Sequence, residues 1–185
     1  ISALQRSPLH LYQRPDTSHL GVDPKATSLS GWAGRLAVNR QRGHLLFNAA
    51  LGAISPGFDV NDLGFQYRGD QVNAHLVAGY REPDPGKVFH SWSSWIGAYY
   101  IGDFGGQRLS TGLNGSASFT LKSYWTIDLS GGVHPQAFSK DETRGGVLLK
   151  NPAGQSINVE LSSDSRKSVV GEIGGGLGLT DDGGS

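Results

Sequence analysis

Asp59, Asn61 and Asp62 place three oxygen-bearing side chains within four positions of the segment SPGFDVNDLGFQ, Ser55 to Gln66. Oxygen donors at such density are what Ca²⁺ requires, since it takes roughly six to eight of them. The helix-flanked loop with its Gly and bidentate Glu is missing, so these residues read first as turn formers that bond their own backbone. The six histidines, at positions 10, 19, 44, 75, 90 and 134, show no His-Glu-x-x-His pair and no repeated metal spacing. Ser91 beside His90 is the nearest approach to a nucleophile with its base, and no Gly-x-Ser-x-Gly elbow accompanies it. Gly174-Gly175-Gly176-Leu177-Gly178 imitates a phosphate loop, but no helix pattern follows; glycine kinks in a curved strand explain it better. Arg144, Asp164 and Arg166 fall at expected strand ends, where they can satisfy one another along a polar wall or meet a substrate. The expectation is a chain without catalytic residues, metal or cofactor, and not an enzyme.

The elements that must hold these groups are strands. From Leu109 to Val133 residue type alternates: Leu109, Thr111, Leu113, Gly115, Ala117, Phe119 and Leu121 on one parity, Ser110, Gly112, Asn114, Ser116, Ser118 and Thr120 on the other. A period of two means extended backbone. The pattern resumes after Lys122-Ser123 with Trp125, Ile127, Leu129 and Val133, which makes an antiparallel hairpin. Strands of about ten residues match the length that crosses a bilayer at a tilt. The same grammar appears at Leu29 to Asn39, Leu45 to Ala53, Val72 to Arg81, Ser156 to Ser162 and Ser168 to Leu179. His44 and His75 take the polar parity. Val88 to Phe104 carries aromatic residues on both parities, so its facing is open, and Thr143 to Lys150 is expected as a short strand after a polar loop. Residues 1–27, with prolines at 8, 15 and 24, read as an irregular lead-in, and 28–185 as an antiparallel region of about nine strands. Single-chain bacterial barrels use even counts, so strands beyond these are expected to complete it.

Sixteen basic and sixteen acidic residues give zero formal charge, which removes the global electrostatic case for nucleic acid. Charged residues are 17% and glycines number 28, values that suit a surface only partly in water. The chain has no Cys, which excludes disulfides and thiolate metal sites, and no Met, so it reads as a processed or internal piece of a longer product. No run of 18 apolar residues offers a spanning helix.

SPGFDVNDLGFQ, together with QRPDTSHLGVDP (Gln13 to Pro24), SLSGWAGRLAVNRQRG (Ser28 to Gly43), TRGGVLL (Thr143 to Leu149) and SSDSRK (Ser162 to Lys167), resembles a particular family. It is the uncharacterised outer-membrane barrel region that follows a carbohydrate-binding family-nine-like module in large bacterial envelope proteins. The resemblance covers most of residues 8–170 and implies an outer-membrane location with further strands on either side. It carries no activity.

The fold expected is therefore all-β, an antiparallel meander of long strands forming part of a transmembrane outer-membrane β-barrel. Its function would be that of a pore, export platform or structural anchor. The partners expected are the lipid bilayer, missing strands or other envelope proteins, and oligosaccharide as a further candidate. A soluble β-sandwich binding glycans uses the same apolar parity as an inter-sheet core, and an outer-membrane hydrolase is the third reading.

Overall fold

The alternating runs fold as strands. The computed structural model describes residues 1–60 and 62–182 and has a short helix, α1 (Ser2–Gln5), before the first of them. Eight strands form one antiparallel meander: β1 (Ala33–Arg40), β2 (Leu45–Ile54), β3 (Gln71–Glu82), β4 (Phe89–Gly102), β5 (Arg108–Leu121), β6 (Thr126–His134), β9 (Gly154–Ser162) and β10 (Glu172–Thr180). A separate two-stranded ribbon pairs β7 (Ala137–Ser139) with β8 (Leu149–Asn151). β1 and β10 are the edges of the eight-stranded sheet, which is not closed into a barrel.

Several sequence expectations change: the last strand begins at Glu172 rather than Ser168, and β7 stands in the expected polar loop. The first strand begins at Ala33, not Leu29, because Gly31 lies flat against the loop: a Cβ there would stand 2.1 Å from the Phe58 backbone nitrogen. Residues 143–148 are turns, because Arg144 and Gly145 adopt φ of +51° and +103°, outside the strand region. β6 pairs directly with β9, so residues 135–153 form an excursion whose ends, His134 and Gly154, face each other.

Register settles which side chains share a face. Phe47, Ala78, Ile96, Gly115, Gly131, Ile157 and Leu177 form one row across the sheet. Trp92, Ser94, Ala98 and Tyr100 share that face, which resolves the facing of β4; His90 is the extra residue of a bulge near its start. The opposite face carries Gly79, Trp95, Ser116, Ser130, Asn158 and Gly176 in a parallel row. Large apolar side chains stand uncovered on the first face, with Ile96 61% exposed and Leu177 76% exposed. Asn73, His75, Ser93 and Ser118 on the second are half-buried, and His75 Nε2 meets Asn48 Oδ1 across the β2–β3 pair.

Gly115 and Gly131 sit at tight points of the apolar face. A Cβ there would lie 2.8 Å from the Trp95 carbonyl oxygen and 2.7 Å from that of Ser156, so the backbones approach as only glycine permits. Burial concentrates elsewhere, at the sheet end where the lead-in meets the loop of residues 55–70, the turn 103–107 and the excursion. Among the described residues the buried apolar side chains are only Leu11, Ala50, Leu109 and Ala137, whereas Gln5, His10, Arg14, Ser55, Asp70, Asp103, Lys140 and Asp164 are buried polar ones.

Candidate functional site

The densest chemistry lies at that loop-rich end, on residues brought there by four separate stretches. Asp70 directly precedes β3 and holds φ at +51°, a left-handed angle that turns its carboxylate back under the loops. Its Oδ1 accepts from His19 Nε2 at 3.0 Å and from the Phe104 N–H at 3.1 Å. Lys140 Nζ donates to the Asp70 carbonyl at 2.8 Å and lies 3.4 Å from its Oδ2. Asp103, just after β4, accepts from the Gln107 N–H at 2.9 Å and from Arg14 Nη2 at 3.2 Å. Both side chains of the Arg14–Asp103 pair are essentially inaccessible to water.

Ions this deeply buried must be paired or lose more solvation than they regain. Burial pushes the Lys140 ammonium below its ordinary value, and the carboxylates of Asp70 and Asp103 pull it partly back. Burial also raises the Tyr12 hydroxyl, helped by the nearby Asp70 charge. Two carboxylates face two cations here, with His19 as a hydrogen-bond partner.

His19, Asp70 and Asp103 can present ligand atoms within 4.8 Å of one another, the spacing of a metal centre. The local charge argues against that use, because Lys140 and Arg14 already neutralise the two carboxylates. The unmatched atom in the cluster is a donor, Arg14 Nη1, which finds no acceptor among the described residues. A cation would need the reverse. The arrangement works as a clamp that fastens the lead-in to the loops, extended by the bond from His10 Nδ1 to the Pro56 carbonyl at 2.8 Å.

The residues singled out from sequence disperse. Asp59 is exposed at the surface yet has its Oδ2 3.3 Å from His10 Nε2, Asp62 is exposed, and Asn61 lies outside the described residues. Arg144 spends its N–H on the Asp141 carbonyl at 3.0 Å and makes no ion pair among the described residues. Asp164 and Arg166 do meet, through bonds of 2.8 and 2.9 Å, in the turn between β9 and β10. These bonds hold the Asp164 carboxyl down to about 2, and the guanidinium lies over the Tyr124 ring, 3.1 Å from its centroid. His90 lies against the Tyr124 ring, centroids 4.8 Å apart, while Ser91 stands in register with Thr120. The clamp itself escapes sequence reading: Arg14 and Asp103 are 89 residues apart, and no motif joins them.

No curated protein and no solved structure matches this chain. Residues 8–181 match the model of a family described as a domain of unknown function, DUF5916. That match takes in the clamp, all eight strands of the meander and the 55–70 loop, and the chain belongs to the DUF5916 family.

Proposed function

We propose that the meander is a stretch of transmembrane β-barrel in a bacterial outer membrane, working as a pore, an export platform or a structural anchor for envelope partners, without catalysis of its own. One observation carries this reading: large apolar side chains crowd one uncovered face, while Asn, Ser, Thr and His predominate on the other, beside Trp95 and Tyr99. Lipid solvates such a face, and water inside a barrel solvates its reverse. β4 and β5, at fourteen residues each, are long enough to cross at a tilt. Outward aromatic rings bracket the apolar rows: Tyr80 stacks on Trp92 at 5.0 Å and Phe89 lies 5.2 Å from Phe119 near the short-turn end, with Tyr100 towards the other. Aromatic girdles at both interfaces are a barrel feature.

The open edges of β1 and β10 fit the same account. Hydrocarbon offers no hydrogen-bond partner, so both edges would pair with strands supplied beyond this sheet. A soluble sandwich would need a second sheet over the apolar face, and the exposures of Leu76, Ile96 and Leu113 leave that face bare. Alkaline carbonate extraction of membranes tests the placement: the protein should stay in the pellet and require detergent, and release by carbonate would end the proposal. Conductance in planar bilayers, with and without oligosaccharide, then separates a pore from an anchor.

A further inference from the structure

Two large rings interrupt the polar face of the sheet. Trp95 and Tyr99, four residues and so roughly 13 Å apart on β4, stand among serines, asparagines and glycines. On the other face Tyr80, Trp92, Phe89 and Phe119 pack ring against ring, whereas Trp95 and Tyr99 meet no ring among the described residues. Trp95 is left 42% exposed. Tyr99 lies against the backbone of Gly112, where a Cβ would stand 3.0 Å from its ring and from its hydroxyl. Beside Trp95 runs the row Ser116, Ser130 and Asn158, with Asn114 two residues along β5. His75 engages Asn48 on the same face, but Asn114, Ser116, Ser130 and Asn158 make no side-chain hydrogen bond among the described residues. These rows contain no Lys, Arg, Asp or Glu; Arg81, Asp128 and Glu160 share the next row towards the short-turn end.

We propose that this patch binds a neutral oligosaccharide chain, its sugar rings stacked on Trp95 and Tyr99 and its hydroxyls bonded to Asn114, Ser116, Ser130 and Asn158. The proposal deepens the barrel reading and rests on it for the site's place on the lumen wall. A sugar ring presents C–H groups on its faces and hydroxyls on its rim, so it needs an apolar platform beside groups that both donate and accept. Trp and Tyr supply the first and Asn and Ser the second. A charged ligand would find no counter-charge in these rows. An apolar one would strip water from four unspent side chains and return no bond to them. Neighbouring strands stand about 4.8 Å apart, close to the length of one sugar unit. A chain lying across β4, β5, β6 and β9 therefore meets Trp95, Ser116, Ser130 and Asn158 about one per unit.

The test is isothermal titration calorimetry of the full chain in detergent micelles with maltohexaose, cellohexaose and, as the charged counterpart, hexagalacturonate. At least one neutral hexaose should bind, about tenfold or more tightly than hexagalacturonate. Trp95→Leu should weaken that binding by about tenfold. Asn158→Ala, a small change at an exposed position that leaves the fold intact, should weaken it severalfold. Tyr100→Leu, beside Tyr99 but on the opposite face, should leave it unchanged. Binding of neither hexaose, equal binding of hexagalacturonate, an equal loss with Tyr100→Leu, or indifference to Trp95→Leu and Asn158→Ala would each overturn the proposal. Carbonate extraction keeps the two readings apart: retention in the membrane without hexaose binding removes the sugar site alone, and release by carbonate with Trp95-dependent binding removes the barrel alone.

Discussion

Ile96→Arg probes the lipid-facing assignment where its effect should be greatest. Trp92, Ile96 and Tyr100 point the same way on β4, with Ile96 midway between the two aromatic residues. Eight residues at about 3.4 Å each span roughly 27 Å along the strand, and a tilt near 40° reduces this to about 21 Å. That height is close to the ~25 Å apolar band of outer-membrane barrels, with Ile96 at its centre. An arginine there should cost about 2–4 kcal/mol, falling to about 0–1 kcal/mol for Leu45→Arg, in register with Tyr80 of the aromatic row. In water the numbers differ: Ile96 is 61% exposed, and a polar substitution at so open a position would change stability by no more than about 0.5 kcal/mol. Equilibrium unfolding in lipid vesicles, followed by denaturant midpoint, measures the difference. A flat response across Leu45 and Ile96 would refute the assignment.

Asp70→Asn keeps an acceptor for His19 but removes the counter-charge of buried Lys140; breaking such a pair should cost about 3–5 kcal/mol, seen as a lower midpoint and faster proteolysis of the lead-in. Asp164, held down to about 2 by Arg166, contributes stability that is complete above its unfolded value of 3.8 and is lost as pH falls through its folded value. Protection of amides in the β9–β10 turn, relative to the intrinsic exchange rate at each pH, should therefore fall between about pH 4 and pH 2, and Asp164→Asn should remove that dependence. Gly131→Ala places a Cβ against the Ser156 carbonyl and should destabilise by about 1–3 kcal/mol in the same unfolding assay, whereas Gly175→Ala, with open space around it, should not.

Strand identity was legible wherever alternation was clean. Leu109 to Leu121 gives β5 to within a residue, because each side chain there meets one of two contrasting environments. β4 was not legible in its facing: Trp92 and Tyr100 lie on the apolar face, Trp95 and Tyr99 on the other, and only pairing with β3 and β5 separates them. β7 escaped notice because three residues are too few to display a period. The clamp was illegible for a different reason. Arg14, His19, Asp70, Asp103 and Lys140 are ordinary residues in irregular segments, joined only when the lead-in folds back over the loops. The dense trio of Asp59, Asn61 and Asp62 reads from sequence as turn formers first and calcium ligands second; in the fold Asp59 meets His10, Asp62 is exposed, and Asn61 lies outside the described residues.

The absence of cysteine lets single cysteines be introduced one at a time without background. Spin labels placed successively at residues 113–118 of β5 report collision with lipid-dissolved oxygen and with a water-soluble nickel chelate. Labels at Leu113, Gly115 and Ala117 should favour oxygen, and labels at Asn114, Ser116 and Ser118 the chelate. A profile that does not alternate, or chelate access at every position, would contradict a sheet wetted by acyl chains on one side and by water on the other.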